Sequence, residues 1–266
     1  MNYLFDTHFH LDLQKDRVAA IRQIEENRIY TLAVTNLPDL YRKELGEVVS
    51  KYIRLALGFH PELVHQYKKQ IPLMWDLLHE TRYIGEVGLD FVDKTYEGEQ
   101  VAFFSELVER CRYDGNKIIT LHSRKAVSKV LDILGENYRF KAVLHWFTGN
   151  KDELKEAVER GCYFSVNGAM IHSKRFLELL PLIPANRLLL ETDSPFTCFK
   201  STHSETLRDI EVNLREYKKD IDVWGNFRRL LGDLFASRLK KQATAGKPVF
   251  VRRGKHICVC LHRKCA

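Results

Sequence analysis

The chain has 266 residues, 45% of them hydrophobic, and a formal net charge of +7. That length suits one large α/β domain, no apolar run is long enough to span a membrane, and six cysteines are too sparse for a disulfide scaffold. The charge is unevenly placed: residues 237–266 carry nine Lys/Arg and no Asp or Glu, leaving 33 basic against 35 acidic residues in 1–236, so basicity as a sign of nucleic-acid binding belongs to the tail.

The N-terminus enters a strand directly, without the basic segment and apolar core of a secretory leader. A cytoplasmic, reducing setting is therefore expected. The first strand reads as Tyr3–Phe9, and its end carries Asp6-Thr7-His8-Phe9-His10. Side chains on a strand alternate faces, so Asp6, His8 and His10 share one face. Two imidazoles at that spacing can grip one divalent metal.

Further apolar runs follow at Thr31–Thr35, Ile53–Phe59, Tyr83–Leu89, Lys117–Leu121, Lys141–His145, Tyr163–Val166 and Leu188–Glu191. Between them lie stretches with helical spacing, such as Val18-Ala19-Ala20-Ile21…Ile24 and Val101-Ala102-Phe103-Phe104…Leu107-Val108. Strands alternating with helices imply βαβ units and a parallel sheet. Eight units predict a closed (β/α)8 TIM barrel; an open doubly wound sheet is the alternative. The residues just past the strand ends are His10, Asn36, His60, Asp90, His122, His145, Gly168 and Asp193, spaced 23 to 32 residues apart. Such near-regularity suits the barrel, whose active sites sit at the C-terminal ends of the strands.

After the eighth strand, Ser204–Lys219 reads as a helix, and Val223–Leu239 contains the last one, with Phe227, Leu230, Leu231, Leu234 and Phe235 as its apolar face. Two regions result: a barrel domain over 1–236 and a basic, disordered tail over 237–266. The tail holds His256, Cys258, Cys260, His262 and Cys265, but these lack the paired C-x-x-C spacing of a structural zinc site.

His8, His10, Glu86, His122, His145 and Asp193 form a nitrogen-and-carboxylate set at the strand ends. The mix suits Zn²⁺, Mn²⁺ or, with more water, Mg²⁺. Six ligands suffice for two divalent ions sharing a carboxylate, a recurrent solution for phosphodiester hydrolysis. Glu86, near the middle of the strand order, is the candidate bridge, and Asp193 the candidate to ligate a metal and orient the attacking water. Singly, each residue has a plainer reading, such as His60 closing a strand before Pro61 or His145 sitting in the core; six together at strand ends by chance is improbable.

These segments resemble the TatD family of metal-dependent hydrolases. Asp6-Thr7-His8-Phe9-His10-Leu11-Asp12 is similar to its D-x-H-x-H-L-D, Gly58-Phe59-His60-Pro61 to G-x-H-P, and Gly85-Glu86-Val87-Gly88-Leu89-Asp90 to G-E-[IV]-G-L-D. His122-Ser123-Arg124 resembles H-x-R, His145-Trp146-Phe147-Thr148-Gly149 resembles H-x-F-[ST]-G, and Glu191-Thr192-Asp193-Ser194-Pro195 resembles E-T-D-x-P. The resemblance runs from residue 3 to about 235. It implies an amidohydrolase-like TIM barrel and divalent-metal-dependent deoxyribonuclease activity on single-stranded DNA or frayed 3′ ends. It places the metals on the same six residues, makes Glu86, Asp193 and His60 catalytic, and sets His60 and Arg124 beside the scissile phosphate. Arg suits that place because its planar fork donates two hydrogen bonds to phosphate.

A finer resemblance is to the TatD-type component of the bacterial Qat anti-phage system, carried by Ala56–Leu63, Leu121–Arg124, His145–Gly149 and Cys162–Val166. It implies protein partners from one operon, a QueC-like protein and an ATPase, with DNA as substrate and no membrane. Phe196-Thr197-Cys198-Phe199-Lys200 departs from the basic, Asn-Pro-containing loop common in the family. Two other functions stay open at this point: hydrolysis of another ester, such as that of aminoacyl-tRNA, and a non-catalytic role in a defence complex.

Overall fold

The computed structural model describes residues 3–197, 202–232, 249–253 and 256–260. The chain divides into two compact units, 1–227 and 228–266.

The first unit is a (β/α)8 barrel. Its strands are β1 (Phe5–Phe9), β2 (Tyr30–Val34), β3 (Ile53–Ala56), β4 (Tyr83–Gly88), β5 (Ile118–His122), β6 (Lys141–His145), β7 (Tyr163–Val166) and β8 (Leu188–Leu190). Each matches a strand expected from the sequence to within three residues at either end. Around them run α1 (Arg17–Asn27), α2 (Pro38–Glu47), α3 (Ile71–Leu78), α4 (Glu97–Cys111), α5 (Val127–Leu134) and α6 (Lys151–Glu159). The short α7 (Gly168–Ile171) and α8 (Lys174–Leu179) follow β7, and α9 (His203–Tyr217) and α10 (Val223–Leu231) follow β8.

All neighbouring strands run parallel, β1-β2-β3 in one ladder and β4-β5-β6-β7-β8 in another. Two seams close the ring. At the first, Leu57 bridges Ile84, and Phe59 N donates to Glu86 O at 2.9 Å. At the second, Asp193 N donates to His8 O at 2.9 Å and Thr7 Oγ1 to Leu190 O at 3.0 Å. Local sequence starts several helices: Asp16 caps α1 through Ala19 N, Asn150 and Glu153 form a reciprocal capping box on α6, and Thr202 caps α9 through Glu205 N.

Phe5, Phe59, Phe104, Phe164 and Phe227 are fully buried. The α10 residues Trp224 and Phe227 close the N-terminal end of the barrel; Phe227 stacks on Phe5 with centroids 4.4 Å apart, and Trp224 packs on Tyr3 and Tyr30. Plugging that end leaves the opposite one open, where the common direction of the parallel strands delivers loop residues to one mouth. No helix among the described residues is long and apolar enough to cross a membrane.

In the second unit α10 ends at Leu231, where Gly232 takes φ +70° and its N–H bonds Arg228 O at 2.9 Å. Glycine enters that left-handed region without a Cβ clash. The sequence reading carries the helix on toward Leu239; Leu234 and Phe235 lie outside the described residues. The sequence also predicts no regular structure in the tail, yet Val249–Arg253 (β9) pairs antiparallel with His256–Cys260 (β10). The β-prone Val249, Phe250, Val251, Ile257 and Val259 favour this pairing; the other tail residues from 237 on lie outside the described set.

Candidate metal centre

β1, β4, β5, β6 and the loop after β8 bring all six expected ligands to one point. His8, His10, Glu86, His145 and Asp193 are buried, and His122 is partly so. Glu86 lies at the centre and turns its two oxygens to two groups. Oε2 is 3.4 Å from His8 Nε2 and 3.3 Å from His10 Nε2, and Asp193 Oδ1 lies 3.7 and 3.4 Å from those same nitrogens. Oε1 is 2.5 Å from His122 Nδ1 and 2.7 Å from His145 Nε2.

Outer partners fix how the imidazoles face. Thr120 Oγ1 lies 3.4 Å from His8 Nδ1, and Asp12 Oδ1 lies 3.8 Å from His10 Nδ1, so both Nε2 atoms turn inward. Asp90 Oδ2, 2.8 Å from His122 Nε2, leaves Nδ1 as the inward atom of that ring. Holding the outer nitrogen this way orients a metal-binding histidine and raises its basicity.

The electrostatics are those of a compressed set of acids and bases. Burial alone would raise the Glu86 carboxyl, but His145, His60, His8 and His122 hold it well below its ordinary range. Burial alone would lower the His10 imidazole; Asp193 and Glu86 outweigh it and lift it to about 9. The same contest raises His145, through Glu86 and Glu191, and His122, through Glu86 and Asp90. A divalent cation fits this set. Asp193 Oδ1 and His145 Nδ1 are buried with no hydrogen-bond partner, and the convergent atoms are carboxylate oxygens and imidazole nitrogens. Cation charge would compensate carboxylates that are otherwise costly to bury. Three groups each lie close enough to share an ion: His8-His10-Asp193 and His8-His145-Glu191, which have His8 in common, and His60-Glu86-His122.

His60 stands closer to the cluster than a purely peripheral group would, with Nε2 3.7 Å from Glu86 Oε1 and its ring edge-on to His122. Its Nδ1 accepts from Glu62 N at 3.3 Å, which leaves the proton on Nε2, pointing inward. Burial, with His122, His10 and His145 adding to it, pulls this imidazole down to about 4. Arg124 follows β5, is exposed, and lines the cavity of about 780 Å³ that opens over Glu86.

Two other groups carry no role in the sequence reading. Glu191, fully buried, accepts from Trp146 N at 3.1 Å, from Asn167 Nδ2 at 2.9 Å and from Ser165 Oγ. Its place two residues before Asp193 in Glu191-Thr192-Asp193 is the signal that could have marked it. Asp6 accepts from His8 N at 3.0 Å, Thr192 N at 3.1 Å, Thr192 Oγ1 at 2.6 Å and His203 Nε2 at 2.7 Å. It thereby ties the strand bearing His8 to the loop bearing Asp193.

A sequence profile of the family described as TatD related DNase matches residues 5–215. The 3′-5′ ssDNA/RNA exonuclease TatD of Pantoea vagans (strain C9-1) is 31% identical over 195 residues, 68% of this chain and 74% of that protein. The protein of that name from Escherichia coli (strain K12) is 40% identical over 121 residues, 42% of this chain and 45% of that one. In three dimensions the TatD homologue YjjV from Escherichia coli K12 matches with a TM-score of 0.73 and 21% identity, over 85% of this chain and 97% of that one. With its motifs in order around one barrel mouth, the chain belongs to the TatD-related DNase family and is a hydrolase of that type.

Proposed function

We propose that this hydrolase cleaves phosphodiester bonds of DNA, acting on single strands or frayed 3′ ends. The observation that carries this is Glu86, one buried carboxylate facing His8 and His10, which Asp193 also flanks, with one oxygen and His122 and His145 with the other. Two divalent ions, Mg²⁺, Mn²⁺ or Zn²⁺, held by these six residues would clamp the phosphoryl oxygens and activate water. The names of the Pantoea and Escherichia relatives, each a 3′-5′ ssDNA/RNA exonuclease, support the substrate class.

The chain's own residues then have distinct tasks. Asp193, whose Oδ1 lies beside the His8 and His10 Nε2 atoms, would hold an ion there and take the proton of the attacking water on its carboxylate. His60 Nε2–H donates to a phosphate oxygen, and Arg124 forks onto the phosphate from the loop after β5. Asp90 keeps His122 turned inward.

The test is single-turnover digestion of a 3′-labelled single-stranded oligonucleotide in Mg²⁺ or Mn²⁺, with EDTA and a charged-tRNA arm beside it. Chelation should stop cleavage, and Asp193→Asn should abolish it while circular dichroism stays unchanged, since the amide neither takes the proton nor ligates well. Near wild-type cleavage by folded Asp193→Asn protein overturns the assignment, and preferential hydrolysis of charged tRNA moves it to another ester.

The narrower reading sets this activity in the cytoplasm, in anti-phage defence beside a QueC-like protein and an ATPase. Its support is the sequence likeness of the four segments, and for the reducing setting the buried free thiols Cys111 and Cys162. Phage plating on cells carrying the intact operon or its Asp193→Asn form tests it; equal plating would remove the defence role.

A further inference from the structure

The chain has three tryptophans, and two are used in packing. Trp75 stacks on Phe103 and carries Arg110 over its face; Trp224 packs against Tyr3, Phe5, Tyr30 and Phe227. Trp146 differs. Among the described residues its ring has no aromatic or cationic partner and its indole N–H no hydrogen bond, although the residue is only half-buried. It lines the large cavity over Glu86, and it also lines a smaller one of about 150 Å³ bounded by Met170, Phe176 and Leu179.

Its position is held against a conformational preference. Trp146 takes φ +38°, a left-handed conformation that a bulky side chain rarely adopts. The buried Glu191 carboxylate fixes it by accepting the Trp146 N–H at 3.1 Å. The result is a fixed backbone carrying the indole one residue beyond His145, whose Nε2 lies 2.7 Å from Glu86 Oε1. Phe196, the other Phe, Tyr or Trp lining this cavity among the described residues, already meets His10 edge-on at 5.4 Å.

Granted the nuclease reading, we propose that Trp146 is the stacking platform for a nucleobase adjoining the scissile phosphate. A base is the part of a single-stranded substrate that presents a flat π-face, and stacking on an aromatic side chain binds it without regard to sequence. The phosphate lies over the carboxylate–imidazole cluster while one neighbouring base rests on the indole. An unstacked single strand offers that base; a paired one does not, so the same stacking favours single strands and frayed ends.

The experiment compares intact oligonucleotides with ones carrying an abasic residue at the 3′-terminal or the penultimate position. For one of these positions the wild-type enzyme should prefer the intact strand by roughly 10- to 100-fold in kcat/KM, mostly through KM. Trp146→Ala should lose that preference and cleave the abasic strand like wild type, and Trp146→Phe should retain most of it. Loss of rate on intact and abasic strands alike would mean that the substitution only displaces His145, and it overturns the proposal, as does a wild type indifferent to both abasic positions. Should wild type cleave neither strand, the nuclease reading falls, and binding decides the platform by itself. Fluorescence anisotropy with the same 5′-labelled strands must then show a base-dependent affinity that Trp146→Ala removes; equal binding of intact and abasic strands overturns it.

Discussion

Two side chains show how burial sets chemistry at the residue scale. The His60 imidazole, held low by burial, aims Nε2–H at the cluster, and in the proposed mechanism it would supply one donor rather than a ligand charge. His60→Ala should therefore slow single-turnover cleavage by roughly 10²–10³-fold, the usual effect of deleting one such donor, without the complete loss expected of Asp193→Asn. Metal content measured after dialysis should be unchanged; a drop of one ion per chain would make His60 a ligand instead. Glu44 of α2 is buried away from the site, with Oε1 3.0 Å from Arg17 Nη2 and Oε2 unpartnered. Burial pushes its carboxyl up to about 7, with Arg17 opposing only part of the rise. A carboxyl raised on folding stabilises fully below its unfolded value near 4.5, and that contribution is lost as pH climbs through about 7. Glu44→Gln, which does not titrate, should gain on wild type by on the order of 1–2 kcal/mol between pH 5 and pH 8. Urea denaturation of both proteins at the two pH values measures it, and a pH-independent difference would contradict it.

At the scale of elements, the seam between β3 and β4 is where three strand ends crowd together. A Cβ on Gly58 would lie 1.6 Å from Thr35 O and 2.6 Å from both Glu86 N and Gly85 O, all backbone atoms that cannot rotate away. Gly58→Ala should cost at least about 3 kcal/mol, beyond ordinary overpacking, and shift Glu86 as the backbone parts. An unchanged urea midpoint would show that the seam yields. The eight strands and the convergence of the candidate ligands at their ends were legible in sequence because both obey a local rule. Short continuous apolar runs mark the strands, and a parallel barrel puts whatever follows each run at one mouth. What was not legible depends on distant pairs. Asp6 and His203 meet across 197 positions, and no spacing announces that α9 begins with the partner of a β1 carboxylate. That the Trp146 ring lacks a partner among the described residues was equally hidden, since a tryptophan beside a motif histidine reads as core until its neighbours are known. The tail ribbon was missed because charge outweighed the β-prone residues between the cations.

At the scale of the whole molecule, catalytic and electrostatic parts are separated along the chain. Residues 1–236 are near neutral, and residues 237–266 hold nine Lys/Arg and no acid. A mouth rich in carboxylates attracts no polyanion until its own charge is compensated, so under the proposed nuclease function the tail cations would supply long-range attraction for the substrate. Removing residues 240–266 takes away eight of those cations. The barrel should stay folded, because the core of the compact 1–227 unit is built without them. Affinity for a single-stranded oligonucleotide should fall, and the dependence of log K on log salt should flatten by about 0.7 for each phosphate that the shortened chain no longer neutralises. Anisotropy titrations between roughly 50 and 200 mM salt give the slope for the full and shortened chains. Cleavage of a saturating substrate should hardly change, since every residue of the metal centre remains. An unchanged slope would show that the cations do not touch the strand. Loss of soluble, folded protein would show that the β9–β10 ribbon is needed for the fold, and would move the tail from binding to structure.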